Sequence, residues 1–251
     1  MKRLFHILLF LLLTLTVAAQ EEYLKGRDFW TTSFPISNIV FLETYLEDSP
    51  DTCVLYIMGD TSCMGYVENP NTGFYQTFFV NSGLVTSVRI PSSHVMGKLI
   101  DRWHNFNENY RDTIFPTGVH IVATRDVSVY QLSNLNNANS CFYDSPNHIN
   151  NSAFFMEKYP VLPTHLFASD ARYKLLPQHT YDGNMELFGV IATEDSTLIT
   201  EYQYGIPYVY QLLRKGEVLV TAFKRIGGQN PTDNRIESDC KTIKTFVSNL
   251  G

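Results

Sequence analysis

From about residue 26 onward, short apolar runs alternate with polar turns, which is the pattern of an all-β protein. Over residues 86–90, Val88 and Ile90 fall on one face and Ser87 and Arg89 on the other, as in a half-buried strand. Similar runs, bounded by Gly, Pro, Asn and Asp, predict strands at residues 29–34, 53–58, 63–68, 75–80, 86–90, 119–123, 128–132, 187–193, 197–202, 208–213, 218–223 and 242–247. Many short strands with such turns indicate a sandwich or barrel.

An internal similarity indicates how the chain is divided. Residues 121–129 (IVATRDVSV) recur as residues 190–198 (VIATEDSTL), with a weaker echo at residues 235–243. The first two segments predict a strand, a polar turn containing Asp, and a second strand, and the echo has an apolar approach, a polar turn with Asp and a β-rich exit. We therefore expect Glu194 and Asp195 to form a turn and not a catalytic pair. The strands around these segments also repeat in order.

We therefore predict an all-β fold of two consecutive antiparallel β-sandwich-like units. The first unit covers residues 20–135 and the second residues 155–251. Residues 136–154 are rich in Asn and poor in β-forming residues, which is typical of a loop or linker.

Residues 1–19 have the three-part order of a secretory signal peptide. Two basic residues precede an apolar run over residues 4–15, and Val17 and Ala19 place small side chains where a signal peptidase requires them. The apolar segment is shorter than the roughly 20 residues that span a bilayer as a helix. We expect cleavage before Gln20, export to the periplasm, cell surface or medium, and no integral membrane span afterwards. The alternative is an uncleaved N-terminal anchor.

Charge and composition exclude some classes of binding partner. The 251 residues include 19 basic and 25 acidic side chains, a net charge of −6, and no cluster of Lys or Arg. Nucleic acid and anionic membrane surfaces are therefore not expected partners. A hydrophobic content of 44% with 14% aromatic residues is typical of an ordered globular chain.

Four cysteines could form disulfide bonds in an exported chain: Cys53, Cys63, Cys141 and Cys240. An even number allows up to two bonds, and sequence leaves three connectivities open. A bond between Cys53 and Cys63 is the first choice, and the alternative is buried thiols.

The sequence carries no common catalytic or cofactor signature, so we predict a non-catalytic protein without a cofactor. The histidines after residue 19 have no ligand spacing and are expected to be scattered; they are His94, His104, His120, His148, His165 and His179. No nucleophile elbow, phosphate-binding glycine loop or dinucleotide fingerprint occurs.

Four tyrosines crowd one predicted hairpin and form a candidate aromatic binding patch: Tyr202, Tyr204, Tyr208 and Tyr210. Aromatic rows on a sheet can stack on sugar rings or anchor a protein partner. The alternative is that these β-forming residues simply fill strand faces and edges around a turn.

Five segments together resemble the N-terminal domain family of IgGFc-binding protein, as found in secreted bacterial proteins. They are residues 26–30 (GRDFW), 121–126 (IVATRD), 161–164 (VLPT), 188–197 (FGVIATEDST) and 213–217 (LRKGE). The resemblance covers essentially the whole chain after residue 19. It implies an extracellular β-rich interaction module, and the end at Gly251, where such members continue, implies a shortened or truncated member.

The leading hypothesis is a secreted or cell-surface binding or adhesion module whose ligand is an extracellular protein or a glycan. A second hypothesis is a secreted carbohydrate-active enzyme that uses a pair of carboxylates. A third is a structural spacer within a surface assembly.

Overall fold

The computed structural model describes residues 24–33, 52–95, 113–135, 155–167, 170–173, 185–203, 206–223, 234–239 and 243–250. Within these ranges the structure is built from β-strands and two short 3-10 helices, at Ser92–His94 and Thr164–Leu166, with no α-helix. The predicted all-β class is confirmed, and the described strand pairs are antiparallel. No described helix is long and apolar enough to cross a membrane.

The strands are β1 Gly26–Thr31, β2 Thr52–Met58, β3 Cys63–Asn69, β4 Phe74–Val80, β5 Val85–Pro91, β6 Thr113–Phe115, β7 Val119–Leu135, β8 Phe155–Val161, β9 Asp170–Tyr173, β10 Met185–Ala192, β11 Thr197–Gln203, β12 Ile206–Leu213, β13 Val218–Phe223, β14 Asn234–Ser238 and β15 Ile243–Leu250. Most lie within a few residues of a predicted strand. The pattern did not predict β6, β8, β9 and β14.

The long strand β7 connects two sheets. Its first half pairs with β1 and β3, and β4 extends that sheet; its second half pairs with β2 and β8, and β5 extends the other. The partners of β7 change around residues 124–126, where β7 bulges. Gly26 of β1 lies opposite Val127 and Asp28 lies opposite Val122, so two steps along β1 correspond to five along β7. A bulge lets one strand bend from one sheet into another, so the turn predicted here is instead a continuous strand.

The first hydrophobic core lies between these two sheets. Its fully buried side chains include Phe29, Leu55, Ile57, Val67, Val80, Ile90 and Ile121. In β5 the predicted alternation is confirmed, because Val88 and Ile90 are buried while Ser87 and Arg89 are exposed. Removing this apolar surface from water is the main force that holds the sheets together.

Strands of the second half, together with β6, form two further sheets, in the orders β15-β10-β13-β6 and β12-β11-β14-β9. Their shared core contains Val190, Ala192, Ile199, Leu213, Leu219 and Ile236. The turn between β10 and β11 confirms the structural role predicted for Asp195, whose Oδ1 accepts a hydrogen bond from the Lys215 backbone N–H at 3.0 Å. The Thr197 hydroxyl donates to the Glu194 carbonyl at 2.8 Å.

Two strand pairs cross the boundary predicted between the units. β6 precedes that boundary and pairs with β13, whereas β8 follows it and pairs with β7. Residues 1–19 and 136–154, the predicted signal peptide and linker, lie outside the described residues. The division into two units therefore stays a prediction.

The first-choice disulfide is wrong, because Cys53 and Cys63 are both buried and neither belongs to a disulfide bond. Cys53 lies opposite Ser133 on β7, whereas Gly65, two residues after Cys63, lies opposite Ala123. Cys53 lies near the start of β2 and Cys63 at the start of β3, so the five residues of β2 that follow Cys53, about 16 Å of extended strand, lie between Cys53 and the turn that leads to Cys63. A disulfide bond needs Cα atoms within roughly 7 Å of each other. Cys141 and Cys240 lie outside the described residues.

Candidate functional site

One face of the β4-β3-β7-β1 sheet points away from the first core. Directly opposite residues on neighbouring strands share a face, so the strand register arranges their side chains in rows across the sheet. The first row is Tyr75, Glu68, His120 and Trp30; the second is Thr77, Tyr66, Val122 and Asp28; the third begins with Phe79 and Met64. We call these ten residues the outer face.

Trp30 and His120 are buried although they belong to the outer face, with 1% and 6% of their surfaces exposed. Their rings stack with centroids 4.3 Å apart and planes 9° apart. The Lys215 ammonium, from the turn between β12 and β13, lies 5.6 Å from the centroid of the Trp30 ring, within cation–π range. A side chain from the second half of the chain thus covers one end of this face.

His120 lies between two carboxylates. Its Nε2 is 2.8 Å from Asp28 Oδ2, and its Nδ1 is 3.2 Å from Glu68 Oε1. Each ring nitrogen of His120 therefore has a carboxylate oxygen as its hydrogen-bonding partner. The Thr164 hydroxyl donates to the other oxygen of Asp28. We call Asp28, Trp30, Glu68, His120 and Lys215 the Trp30 cluster.

The surroundings of Asp28 hold its pKa below the ordinary value. Burial alone would raise this pKa, but hydrogen bonds from His120 and Thr164, together with the charges of His120 and Lys215, outweigh burial. Burial and the neighbouring carboxylates Glu68 and Asp28, together with Tyr75, raise the pKa of Tyr66. At neutral pH the outer face therefore presents an ionised Asp28 and a neutral Tyr66 hydroxyl.

We expect Asp28→Asn to lower the free energy of unfolding by about 1 kcal/mol at pH 7, a modest value because the side chain is half-exposed and screened by water. A lowered pKa in the folded state stabilises the protein above the ordinary value of 3.8, and this contribution is lost as the pH falls through the folded pKa. The difference in urea midpoint between the two proteins should therefore shrink as the pH falls below about 4.

Asp126→Asn is the matched control for this pH series. Asp126 accepts from Arg27 Nε at 2.7 Å, but both side chains are exposed, so its loss should change stability by less than about 0.5 kcal/mol. A destabilisation by Asp28→Asn that is as large at pH 2.5 as at pH 7 would contradict the lowered pKa of Asp28 in the folded protein.

Segments singled out in the sequence meet at the Trp30 cluster. Residues 26–30 supply Asp28 and Trp30, residues 213–217 supply Lys215, and residues 161–164 supply Thr164. The backbone of Phe29 also forms an isolated bridge with Pro163. The segments that carry the family resemblance therefore include the contacts that fix this end of the outer face.

The sequence analysis missed the exposed residues Tyr75, Met64 and Phe79, which it did not single out. It also missed His120, which it grouped with the scattered histidines. The only available signal was its place in an alternating strand, on the same face as Val122. Its partners are 92 and 52 residues away in the chain, so no local spacing could reveal them.

The predicted tyrosine patch is only partly described. Tyr202 is partly buried in β11, Tyr210 is exposed in β12, Tyr208 also lies in β12, and Tyr204 lies outside the described residues. Strand register places Tyr210 opposite Thr200 and Leu212 opposite Leu198, so these four share one face. Tyr210 thus belongs to a small exposed apolar area on a different sheet from the outer face.

In the described part of the chain, no group of three or more His, Cys, Asp or Glu side chains is arranged to hold a metal ion. No protein-family model matches the sequence, and no curated protein matches it significantly.

Proposed function

We propose that this protein is a secreted or cell-surface binding module and that the outer face is its ligand-contacting surface. The observation that carries the proposal is the exposure of Tyr75 (60%), Met64 (62%) and Phe79 (52%) on the same face of two paired strands. Exposed apolar groups that are clustered and bordered by polar groups mark interaction sites. The predicted signal peptide and the resemblance to the IgGFc-binding protein domain family support an extracellular partner.

A rigid sheet is a suitable support for such a surface. β3 is paired on both sides, with β4 and β7, and its opposite face packs into the first core through Val67. Tyr66 and Tyr75 stack on each other, with ring centroids 5.5 Å apart. Side chains that are already ordered lose little conformational entropy when a ligand binds, which favours affinity.

The test is a pulldown of extracellular macromolecules on the immobilised full chain. Replacing Tyr75, Phe79 and Met64 together with serine should reduce retention at least tenfold, as expected when the main contact residues of an interface are removed. The matched control replaces Leu198, Tyr210 and Leu212 with serine, which removes exposed apolar side chains from the other sheet. Equal loss in both variants, or loss only in the control, would refute the assignment of the outer face.

Asp28 and Glu68 give a specific reason to test a second function, a carbohydrate-active enzyme. They are two carboxylates that approach the same imidazole from opposite sides. A glycosidase needs one carboxyl group with a raised pKa as proton donor, whereas the surroundings of Asp28 lower its pKa. An enzyme here would need Glu68 as the acid. Release of reducing sugar that Glu68→Gln abolishes would favour this function over a binding module.

A further inference from the structure

We infer that the ligand of the outer face is an uncharged polysaccharide or oligosaccharide. The inference rests on the proposed binding function and names the class of ligand. Three properties of the face support it: its small net charge, the hydrogen-bond acceptors that remain accessible, and the stacked tyrosines.

Both carboxylates of the outer face already have hydrogen-bonding partners. His120 contacts both Asp28 and Glu68, and the positive charge of Lys215 acts on Asp28 from its position above Trp30. The remaining residues in the three rows are uncharged. The two carboxylates lie beside one ammonium and one imidazole, so the net charge of the face is small and the electrostatics favour a neutral ligand over a strongly charged one.

The carboxylates can still accept hydrogen bonds. Asp28 is 48% and Glu68 is 28% exposed at the side chain. An ionised carboxylate has about four lone-pair positions, and the bonds from His120 and Thr164 occupy one on each Asp28 oxygen. Hydroxyl groups are the neutral donors that suit such acceptors, and each sugar unit carries several. The exposed Thr77 hydroxyl in the next row can both donate and accept.

The aromatic rings supply the other half of sugar recognition. The planes of Tyr66 and Tyr75 lie within 24° of each other, and Tyr75 is exposed on β4. Aromatic rings bind apolar surfaces through their faces, and a pyranose has apolar C–H faces with hydroxyls around its rim. A largely apolar protein surface would instead bury Asp28 and Glu68 further without offering donors, which is costly.

The experiment is affinity gel electrophoresis of the full chain in gels that contain a neutral polysaccharide (mannan, galactomannan, xyloglucan or mixed-linkage glucan) or an anionic one (alginate or heparin). We expect at least one neutral polysaccharide to retard the protein, with little change between 0.05 and 0.5 M NaCl, about a tenfold range over which screening removes most surface electrostatic attraction.

Tyr75→Ala should weaken that retardation at least tenfold, while Tyr75→Trp should keep it because the ring platform remains. Tyr210→Ala is the matched control and should bind as the wild type does. Circular dichroism verifies that each variant is folded; Tyr75 and Tyr210 are both exposed, so neither truncation opens a core cavity.

Two results would overturn the glycan inference and leave the binding function standing. The first is a protein ligand whose retention depends on Tyr75 while every neutral polysaccharide fails to retard the chain. The second is Tyr75-dependent retardation by anionic polysaccharides alone, abolished by salt. Retardation that is indifferent to Tyr75, Phe79 and Met64 would overturn both the inference and the assignment of the outer face.

Discussion

Replacing Trp30 with alanine should lower the free energy of unfolding by about 3–5 kcal/mol, the usual cost of removing a buried tryptophan. Only 1% of its surface is exposed, one ring face stacks on His120, and Lys215 lies over the ring. The variant would leave a cavity beside His120 and remove the cation–π contact to the second half of the chain. Thermal unfolding followed by circular dichroism should show a melting temperature about 10 °C lower.

Two further variants test whether the loss of stability in Trp30→Ala comes from removing the buried aromatic ring. Trp30→Phe keeps an aromatic ring beside His120, so it should cost roughly half as much as alanine. Phe79→Ala removes a ring of similar chemistry from an exposed position on the same face and should cost under about 1 kcal/mol. The burial argument is wrong if Trp30→Ala proves no more damaging than Phe79→Ala.

The Trp30 cluster also lies where the two halves of the chain meet. The Gly118 N–H donates to the Gly216 carbonyl at 2.9 Å, and Asn71 Nδ2 donates to the Lys215 carbonyl at 3.0 Å. Gly216 has φ +77°, a conformation that glycine adopts without strain. These contacts position Lys215 above Trp30, so the turn between β12 and β13 contributes to the order of the outer face.

The sequence predicted strands well where one face is buried and the other is exposed to solvent. Apolar and polar residues then alternate along the strand, and this pattern is visible within a few neighbouring residues. The prediction failed at β7, where residues 124–126 resemble the polar turn at residues 193–196. The second segment is a turn and includes Ser196 at φ 54°. The first remains strand, because its two halves pair with different sheets. Whether such a segment forms a turn or a continuous strand depends on the strands that it pairs with. Residues 121–129 and 190–198 do not by themselves specify those partners.

The same limit applies to the site and to the cysteines. Sequence alone could indicate that residues 26–30 and 213–217 matter, but not that Trp30 and Lys215 are in contact. Cys53 and Cys63 are near in sequence, yet Cys53 pairs with β5 and β7 whereas Cys63 pairs with Val80 of β4. Nearness along the chain is a poor guide to nearness in space once a whole strand intervenes.

Replacing Gly65 with alanine should be more disruptive than the same change at the other described glycines, costing about 3 kcal/mol or more. A Cβ atom there would lie 2.2 Å from the Val122 carbonyl oxygen and 2.2 Å from Phe78 Cζ. The first contact is with the backbone of β7, which pairs directly with β3 and cannot withdraw without breaking the ladder. Urea unfolding should show a clearly lower midpoint.

Gly73→Ala provides the comparison, because a Cβ atom at that position meets nothing within 4 Å although φ is +76°. It should cost only about 1–2 kcal/mol, from the left-handed conformation alone. Adding Phe78→Ala to Gly65→Ala separates the two clashes, since it removes the ring and leaves the carbonyl. Phe78 belongs to the first core, so Phe78→Ala alone is the reference. We expect the double variant to be clearly less stable than Phe78→Ala, because the clash with the carbonyl remains. A double variant as stable as Phe78→Ala would show that the ring, and not the neighbouring strand, requires glycine at residue 65.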